Sequence, residues 1–576
     1  MAGDGNFLSN EANVPLGFVV AFFVLGLLPF CCMRLVCSKP RVDDDDDPLL
    51  PNEEVGQLAG LTRDKLEDTK LEAKKWTCGI CAFHNPVDKR SCVLCDTSRA
   101  TFLLVSPEFG AMAGTLPIDQ LNDHQLSAMY RSQWTRRCHG STWTWQCFPL
   151  ADPCEYMVLS AASEGDVPYL VELAAATAGQ TVLGHALPSW WSRPLLELQA
   201  LPFSLKYAWL LSYLAVEYHA AHAKLTLTRA TIFDQSMHAL NTAHVDQLCL
   251  LTIISLVGES AVDAGGVTRE WYTLLTMAIV DESRGLFVVT SHPDQSFFVN
   301  PKSIDPTHLD QYQAVGRLLG KAIIDEQVLP FHFCVPLFKM LLGYPVSIQD
   351  IRYLDPTVYS SLTYIRDCDD VDDLALTFSV SVDTDVPEVE LVVGGRDVGV
   401  TNANKAEYVE RMVQYLMFER VAPQLQRLVQ GLYDVLPQEL LMPFDYKELE
   451  LILCGFSEID VGDWKRSTIV SKSLEDVVGW FWDVVEFDMT PSDRAKLLQF
   501  TTGSSRVPIQ GFKGLTSYDG RLCPFSLHGV PYEYGIFPKV HSCFNRIDLP
   551  IYPSRALLAE GLFVLVNIQC MAFTMA

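Results

Sequence analysis

Phe537-Pro538-Lys539-Val540-His541-Ser542-Cys543-Phe544-Asn545-Arg546-Ile547-Asp548-Leu549-Pro550 is the stretch from which the rest of this chain can be read. It sets one cysteine two residues after a histidine and five before an aspartate, among proline and aromatic residues that fix a loop. A cysteine beside an imidazole can be held as thiolate, the form that attacks carbonyl carbon. Alternate residues of an extended segment point to opposite sides, however, so the spacing alone does not make His541 a base for Cys543.

The stretch resembles the active-site loop of HECT-type ubiquitin ligases, in which a histidine, a hydroxyl residue, the catalytic cysteine and Phe-Asn precede Asp-Leu-Pro. Upstream the resemblance continues, in the family's order. It runs through Leu256-Val257-Gly258-Glu259, Val262 to Trp271, Val315 to Ala322, Val400-Thr401-Asn402 with Asn404-Lys405, Glu448-Leu449-Glu450, Ile459 to Trp464, and Leu498 to Pro508. It implies an α+β, bilobal fold: a large, mainly helical N-lobe over residues 201–466, a hinge at 467–473 and a small α/β C-lobe over 474–576. The polar run Arg466 to Ser473 reads as the hinge. A ubiquitin-conjugating enzyme is expected to dock near residues 335–420.

By the same resemblance Cys543 carries ubiquitin as a thioester and passes it to a substrate lysine. Ser542 stands where the family usually has threonine, which keeps the hydroxyl. His541 shapes the loop or meets the incoming thioester. Asp548 is the local candidate to take the lysine proton, with turn formation as its other reading. Phe573 has the place of the phenylalanine four residues from the C-terminus that the family uses for transfer, although its flanks differ from the usual acidic tail. Val288-Val289 after Gly285-Leu286-Phe287 departs from the aromatic that helps some members hold a second ubiquitin.

Further upstream, Cys78-x2-Cys81 and Cys92-x2-Cys95 have the spacing of a closed four-thiolate Zn2+ site, structural because it leaves no open position. Trp76 and Asn85 complete a likeness to the Ran-binding-protein type of zinc finger over residues 76–99, whose members bind ubiquitin or single-stranded RNA. In the ubiquitin binders a Thr-Phe pair follows the second cysteine. Here Ala82 replaces the threonine, while Phe83 and Leu94 keep the apolar contacts expected to meet ubiquitin.

Val14 to Met33 carries no charge over twenty residues, enough at 1.5 Å per residue to span a hydrocarbon core of about 30 Å. Arg34, Lys39 and Arg41 follow it and Asp4 and Glu11 precede it. The expectation is a single-pass membrane protein with residues 1–13 outside and the finger and both lobes in the cytosol; a signal peptide is the competing reading. Residues 34–75 read as an acidic juxtamembrane linker. In the unassigned, tryptophan-rich region 100–200, Thr142 to Cys147 alternates in period two and predicts a strand with Trp143 and Trp145 on one face. These tryptophans form either core or a substrate-recruiting surface.

The net charge of −27 excludes a general nucleic-acid binder, which needs excess Lys and Arg. Seventeen cysteines, an odd number in a large chain, do not form a disulfide framework. The partners expected are therefore a ubiquitin-conjugating enzyme, ubiquitin, protein substrates and a membrane. The alternative is a ubiquitin-binding membrane scaffold with an inactive ligase domain. A cysteine hydrolase built on Cys543 and His541 lacks the other signatures of that class.

Overall fold

The computed structural model describes residues 75–567, apart from 88, 105–113, 149–154, 174, 219–220, 259–265, 330, 382–387, 457–458, 509–510 and 516–522. Two large hydrophobic cores hold most of the buried side chains, and two smaller clusters, around Trp143 with Trp191 and around Trp134 with Tyr156, lie beside the first. Of the large cores, one gathers side chains from Trp76 to Cys454, and the other gathers them from Val461 to Val566.

The first core is built around two crossing helices, Pro306–Ile324 and Ala422–Val435. Asp305 caps the former by accepting from the His308 N–H at 3.1 Å, and Pro306 fits its first turn. The helices meet at glycines. A Cβ on Gly316 would lie 2.1 Å from the Leu428 carbonyl oxygen, and one on Gly431 would lie 2.1 Å from that of Gln313. Only hydrogen fits at either position, which is why the Val315-Gly316-Arg317 run has its form. Arg317 then locks the crossing, reaching Asp434 at 2.8 Å and the carbonyls of Leu240 and Asn241. A parallel pair, His222–Leu227 with Leu251–Leu256, flanks this core.

The tryptophan-rich region belongs to the same body. Thr142–Cys147 is a strand, as the alternation predicts, and it pairs in an antiparallel hairpin with Trp134–His139. Trp134 and Trp143 are buried, and Trp145 lies beneath the Arg136 guanidinium at 4.2 Å. These three rings pack inward; Trp190, half exposed, remains on the surface. The finger is likewise no separate bead. Its Phe83 ring sits 5.9 Å from that of Phe203 in the first core.

The second core fills a four-stranded sheet in the order Ile469–Val470, Ser526–Val530, Arg546–Pro550, Lys539–His541. The first three strands run parallel and the last antiparallel. Helices Pro491–Thr502 and Arg555–Asn567 cover it. Two lobes are therefore present, but their boundary differs from the expected one. Trp464, assigned by sequence to the N-lobe, is fully buried in the second core, stacked on Phe512 at 4.8 Å and edge-on to Phe525 at 5.1 Å. Residues 467–473, read as the hinge, supply the first strand of the C-lobe sheet. The first core instead ends at Cys454 and the second begins at Val461, with Gly455 following the first at φ +60°.

The single-pass membrane placement is also corrected. No helix among the described residues is long and apolar enough to cross a membrane. The longest, Pro306–Ile324, has 19 residues and carries Asp310, Arg317 and Lys321. Val14 to Met33 lies outside the described residues, as do 1–13 and the linker up to residue 74.

Candidate functional site

Strands Lys539–His541 and Arg546–Pro550 form an antiparallel hairpin, with His541 paired to Arg546 and Lys539 to Asp548. Ser542–Phe544 makes a single 3-10 turn between them, so Cys543 occupies the middle of a tight hairpin connection. Asn545 closes the turn at φ +48°, a left-handed conformation that asparagine tolerates better than most residues. Ser542, half-buried, contributes its carbonyl to the Asn545 N–H. Phe544 is exposed beside it.

His541 does not stand alone. Its Nε2 lies 2.8 Å from Asp548 Oδ2, and Arg546 Nε lies 2.9 Å from Asp548 Oδ1. Burial pushes the Asp548 carboxyl up, but the His541 hydrogen bond and the Arg546 charge outweigh it and hold the group below its ordinary value. The carboxylate is thus fixed as an anion on the same hairpin as Cys543. A hydrogen bond from His541 to it places an imidazole proton on Nε2. The sequence brings His541 and Asp548 to one place; their pairing with each other, and with Arg546, was not legible in the spacing.

Asn545 ties this hairpin to the other lobe. Its side chain is fully buried, donates to the Cys523 carbonyl at 2.7 Å and accepts from Arg269 Nη1 at 2.8 Å. Arg269 lies on the N-lobe helix Gly266–Ile279 and also donates to the Thr502 carbonyl at 2.8 Å. One turn on, Thr273 donates to the Gly503 carbonyl at 2.9 Å. Sequence reading quotes Arg269 as a family landmark and assigns it no task. A charged side chain among Val267, Trp271 and Tyr272, which are all buried, was the available signal. Phe573 lies outside the described residues.

The second candidate centre is the cysteine cluster. The Sγ atoms of Cys78, Cys81, Cys92 and Cys95 all lie within 4.8 Å of one another and are buried. Three of the separations are 3.7, 3.6 and 3.6 Å. Zn–S bonds of about 2.3 Å in a tetrahedron give S···S edges of about 3.8 Å. The cluster is therefore the size of a four-thiolate metal shell. Each knuckle turns the same way: the Ala82 N–H bonds the Cys78 carbonyl and the Asp96 N–H bonds that of Cys92, with Ala82 and Asp96 both at positive φ. Asn85 joins the knuckles by donating to the Phe83 carbonyl and accepting from the Val93 N–H.

Phe83 and Leu94, read as surface contacts for ubiquitin, are core residues at 5% and 4% exposure. Phe83 lies between the Phe203 ring and the Arg131 guanidinium, which is 5.6 Å from its centroid. Arg131 also donates to the Cys81 carbonyl and pairs with Asp445 and Glu448. The apolar face that would be free on an isolated finger is covered here by the N-lobe.

Comparison with known proteins places the chain. The model of the family described as HECT-domain (ubiquitin-transferase) matches residues 273–576, more than half of the sequence. The "E3 ubiquitin-protein ligase TOM1" of Saccharomyces cerevisiae is 38% identical over 351 residues, covering 60% of this chain and 11% of its own length. The "E3 ubiquitin-protein ligase Smurf1" of Drosophila melanogaster is 37% identical over 361 residues, 61% of this chain and 34% of its own. The "E3 ubiquitin-protein ligase UPL2" of Arabidopsis thaliana is 36% identical over 358 residues, 60% and 10% respectively. The aligned part thus spans roughly a tenth to a third of these relatives' lengths. With the cysteine turn, its two-lobed setting and this match over residues 273–576, the chain belongs to the HECT-domain (ubiquitin-transferase) family.

Proposed function

We propose that this chain is a HECT-type ubiquitin ligase that accepts ubiquitin on Cys543 from a conjugating enzyme and transfers it to substrate lysines. The observation that carries the reading is the hairpin turn itself. It sets Cys543 between the His541–Asp548 pair and Asn545, on a lobe with its own core, beside the lobe that would receive the conjugating enzyme.

In the first step the Cys543 thiolate attacks the thioester carbonyl of the charged conjugating enzyme, and that enzyme's cysteine leaves as thiolate. In the second a lysine amine attacks the new thioester, the C–S bond breaks so that Cys543 leaves as thiolate, and the amine's proton passes to a base, for which Asp548 is the local candidate. Asp548, held ionised, serves here to orient His541 and to attract the lysine cation. The His541 and Arg546 contacts that hold its carboxyl below the ordinary value make it a weaker base and add a positioning role to the proton-acceptor role expected of it. Most of the acceleration then comes from proximity, worth up to about 7–11 kcal/mol for well-placed reactants. The conjugating enzyme would dock within residues 335–420, where Tyr364, Leu374 and Val393 are exposed.

The four-cysteine cluster is best read as holding a structural Zn2+, whose chemistry is to knit the finger and not to react. Cys78, Cys81, Cys92 and Cys95 supply the shell. Ubiquitin capture through Phe83 and Leu94 is not carried into this reading, because both are covered.

The test is a charging assay with a panel of conjugating enzymes. Wild-type protein is expected to form a ubiquitin adduct that thiol reductant removes, and Cys543→Ala to form none. An adduct that survives in Cys543→Ala would reject the assignment.

A further inference from the structure

The finger touches both sides of the passage between the lobes. On the N-lobe side Arg131 clasps the Cys81 carbonyl of the finger and, at its other contacts, Asp445 and Glu448. Those two residues form the capping box of helix Tyr446–Cys454, the last N-lobe element before the passage at 455–460. Lys206 reinforces them, its Nζ 2.5 Å from Glu448 and 3.1 Å from the Pro443 carbonyl. On the far side Lys89 Nζ lies 2.9 Å from Asp460 Oδ2. Asp460 caps the first C-lobe helix, Val461–Arg466, by accepting from the Asp463 N–H with its other oxygen at 3.0 Å. That helix buries Val461 and Trp464 in the C-lobe core.

The metal-binding knuckles are therefore bolted to the element before the linker and ion-paired to the element after it. Trp76 holds the Lys89 loop in place through a hydrogen bond from its Nε1 to the Lys89 carbonyl at 3.1 Å. Lys89 and Asp460 are one-fifth and one-quarter exposed, so this pair is partly shielded and can still open. The Asp460 carboxyl is pushed up by burial but brought down further by Lys89 and by the Asp463 N–H, so it faces Lys89 as an anion.

We propose that Lys89 is a positioning residue: through its ion pair with Asp460 the finger braces the interlobe linker and sets how freely the C-lobe carries Cys543. The proposal rests on the reading of Cys543 as a ubiquitin acceptor that must travel. It makes the finger part of the transfer machinery and gives its partly shielded cation a task within this chain.

The test uses the full chain with fluorophores introduced through unnatural side chains at Val216 and Phe487, exposed positions on the N-lobe and C-lobe. The distribution of interlobe distances is read by single-molecule energy transfer, and lysine discharge of charged protein is read in parallel. Lys89→Glu is expected to raise the population outside the resting distance about two- to fivefold, the scale of an exposed to half-shielded ion pair. Asp460→Asn keeps the helix-capping oxygen and removes the charge. In that background Lys89→Glu should change the distribution no further, since the repulsion is gone. Charging of Cys543 per encounter should shift less than discharge, which a general loss of fold would not produce. A Lys89→Glu distribution identical to wild type, or an effect that persists undiminished with Asp460→Asn, overturns the proposal. The distance readout needs no ubiquitin, so the brace can fail while Cys543 still charges, and Cys543 can fail to charge while the brace holds.

Discussion

Asn545 closes the cysteine turn at φ +48° while its amide accepts from Arg269 and donates to the Cys523 carbonyl. Backbone and side chain can be separated by substitution. Asn545→Gly keeps the left-handed backbone and loses both bonds; Asn545→Ala loses the bonds and adds a left-handed penalty of about 1–2 kcal/mol. Both should lower the C-lobe unfolding midpoint, with alanine below glycine by that margin; equal midpoints would mean that the backbone angle matters little. Asp548 offers a pH handle two strand positions on from Arg546. Its carboxyl is held below the ordinary value of about 3.9, so it contributes stability above that pH and loses it as pH falls through the folded value. Arg546→Gln removes one of the charges holding it down. The Asp548 titration followed by carboxyl-carbon NMR should then move toward about 3.9, and the part of C-lobe stability that is lost in acid below that pH should shrink. At this scale the sequence was half legible. His541, Cys543 and Asp548 are visible in one stretch, but the Arg546 and Arg269 contacts depend on strand register and on a helix from the other lobe.

Between helices, the crossing of Pro306–Ile324 and Ala422–Val435 depends on two hydrogens. Gly316→Ala drives a methyl against the Leu428 carbonyl, a contact with backbone that cannot swing aside. A cost at or above the usual 1–3 kcal/mol of overpacking is expected, read as a fall in the denaturant midpoint at unchanged slope. The finger makes a different kind of element. Because Trp76, Phe83 and Leu94 join the N-lobe core, stripping the metal with a chelator should lower the N-lobe melting temperature and leave that of the C-lobe in place. A metal-independent N-lobe transition would detach the finger from the fold. The cysteine spacing made the four-cysteine cluster legible, since it is closed by short-range geometry. The fate of Phe83 was not, because its cover, Phe203, comes from a helix more than a hundred residues along. The hinge was misplaced for a similar reason. Polar residues 467–473 read as a linker until Ile469 and Val470 find their partners at Ser526 and Leu527.

For the whole molecule, the question is how the C-lobe is held in one pose against the N-lobe. Arg269 and Thr273 donate from one N-lobe helix to the Thr502 and Gly503 carbonyls and to Asn545, all buried, whereas the covalent passage between lobes is only residues 455–460. Buried hydrogen bonds from a charged group contribute about 1.5–3 kcal/mol. Turning the C-lobe breaks these bonds together, so this pose is a definite stop and the cysteine turn is gripped while it lasts. Arg269→Lys keeps the charge but loses the rigid guanidinium plane that places Nη1 against both acceptors, and Arg269→Ala removes both bonds. If the grip belongs to one of the two transfer steps, both variants should change the ratio of Cys543 charging rate to lysine discharge rate. Alanine should change it by about tenfold, the equivalent of one such bond, and lysine by less. Pulse-chase measurement of the two steps separates this from a folding defect, which would lower the fraction of active protein and leave the ratio untouched. An unchanged ratio in folded Arg269→Ala protein would reduce the contact to packing and leave the passage at 455–460 and the Lys89 brace as the determinants of lobe travel.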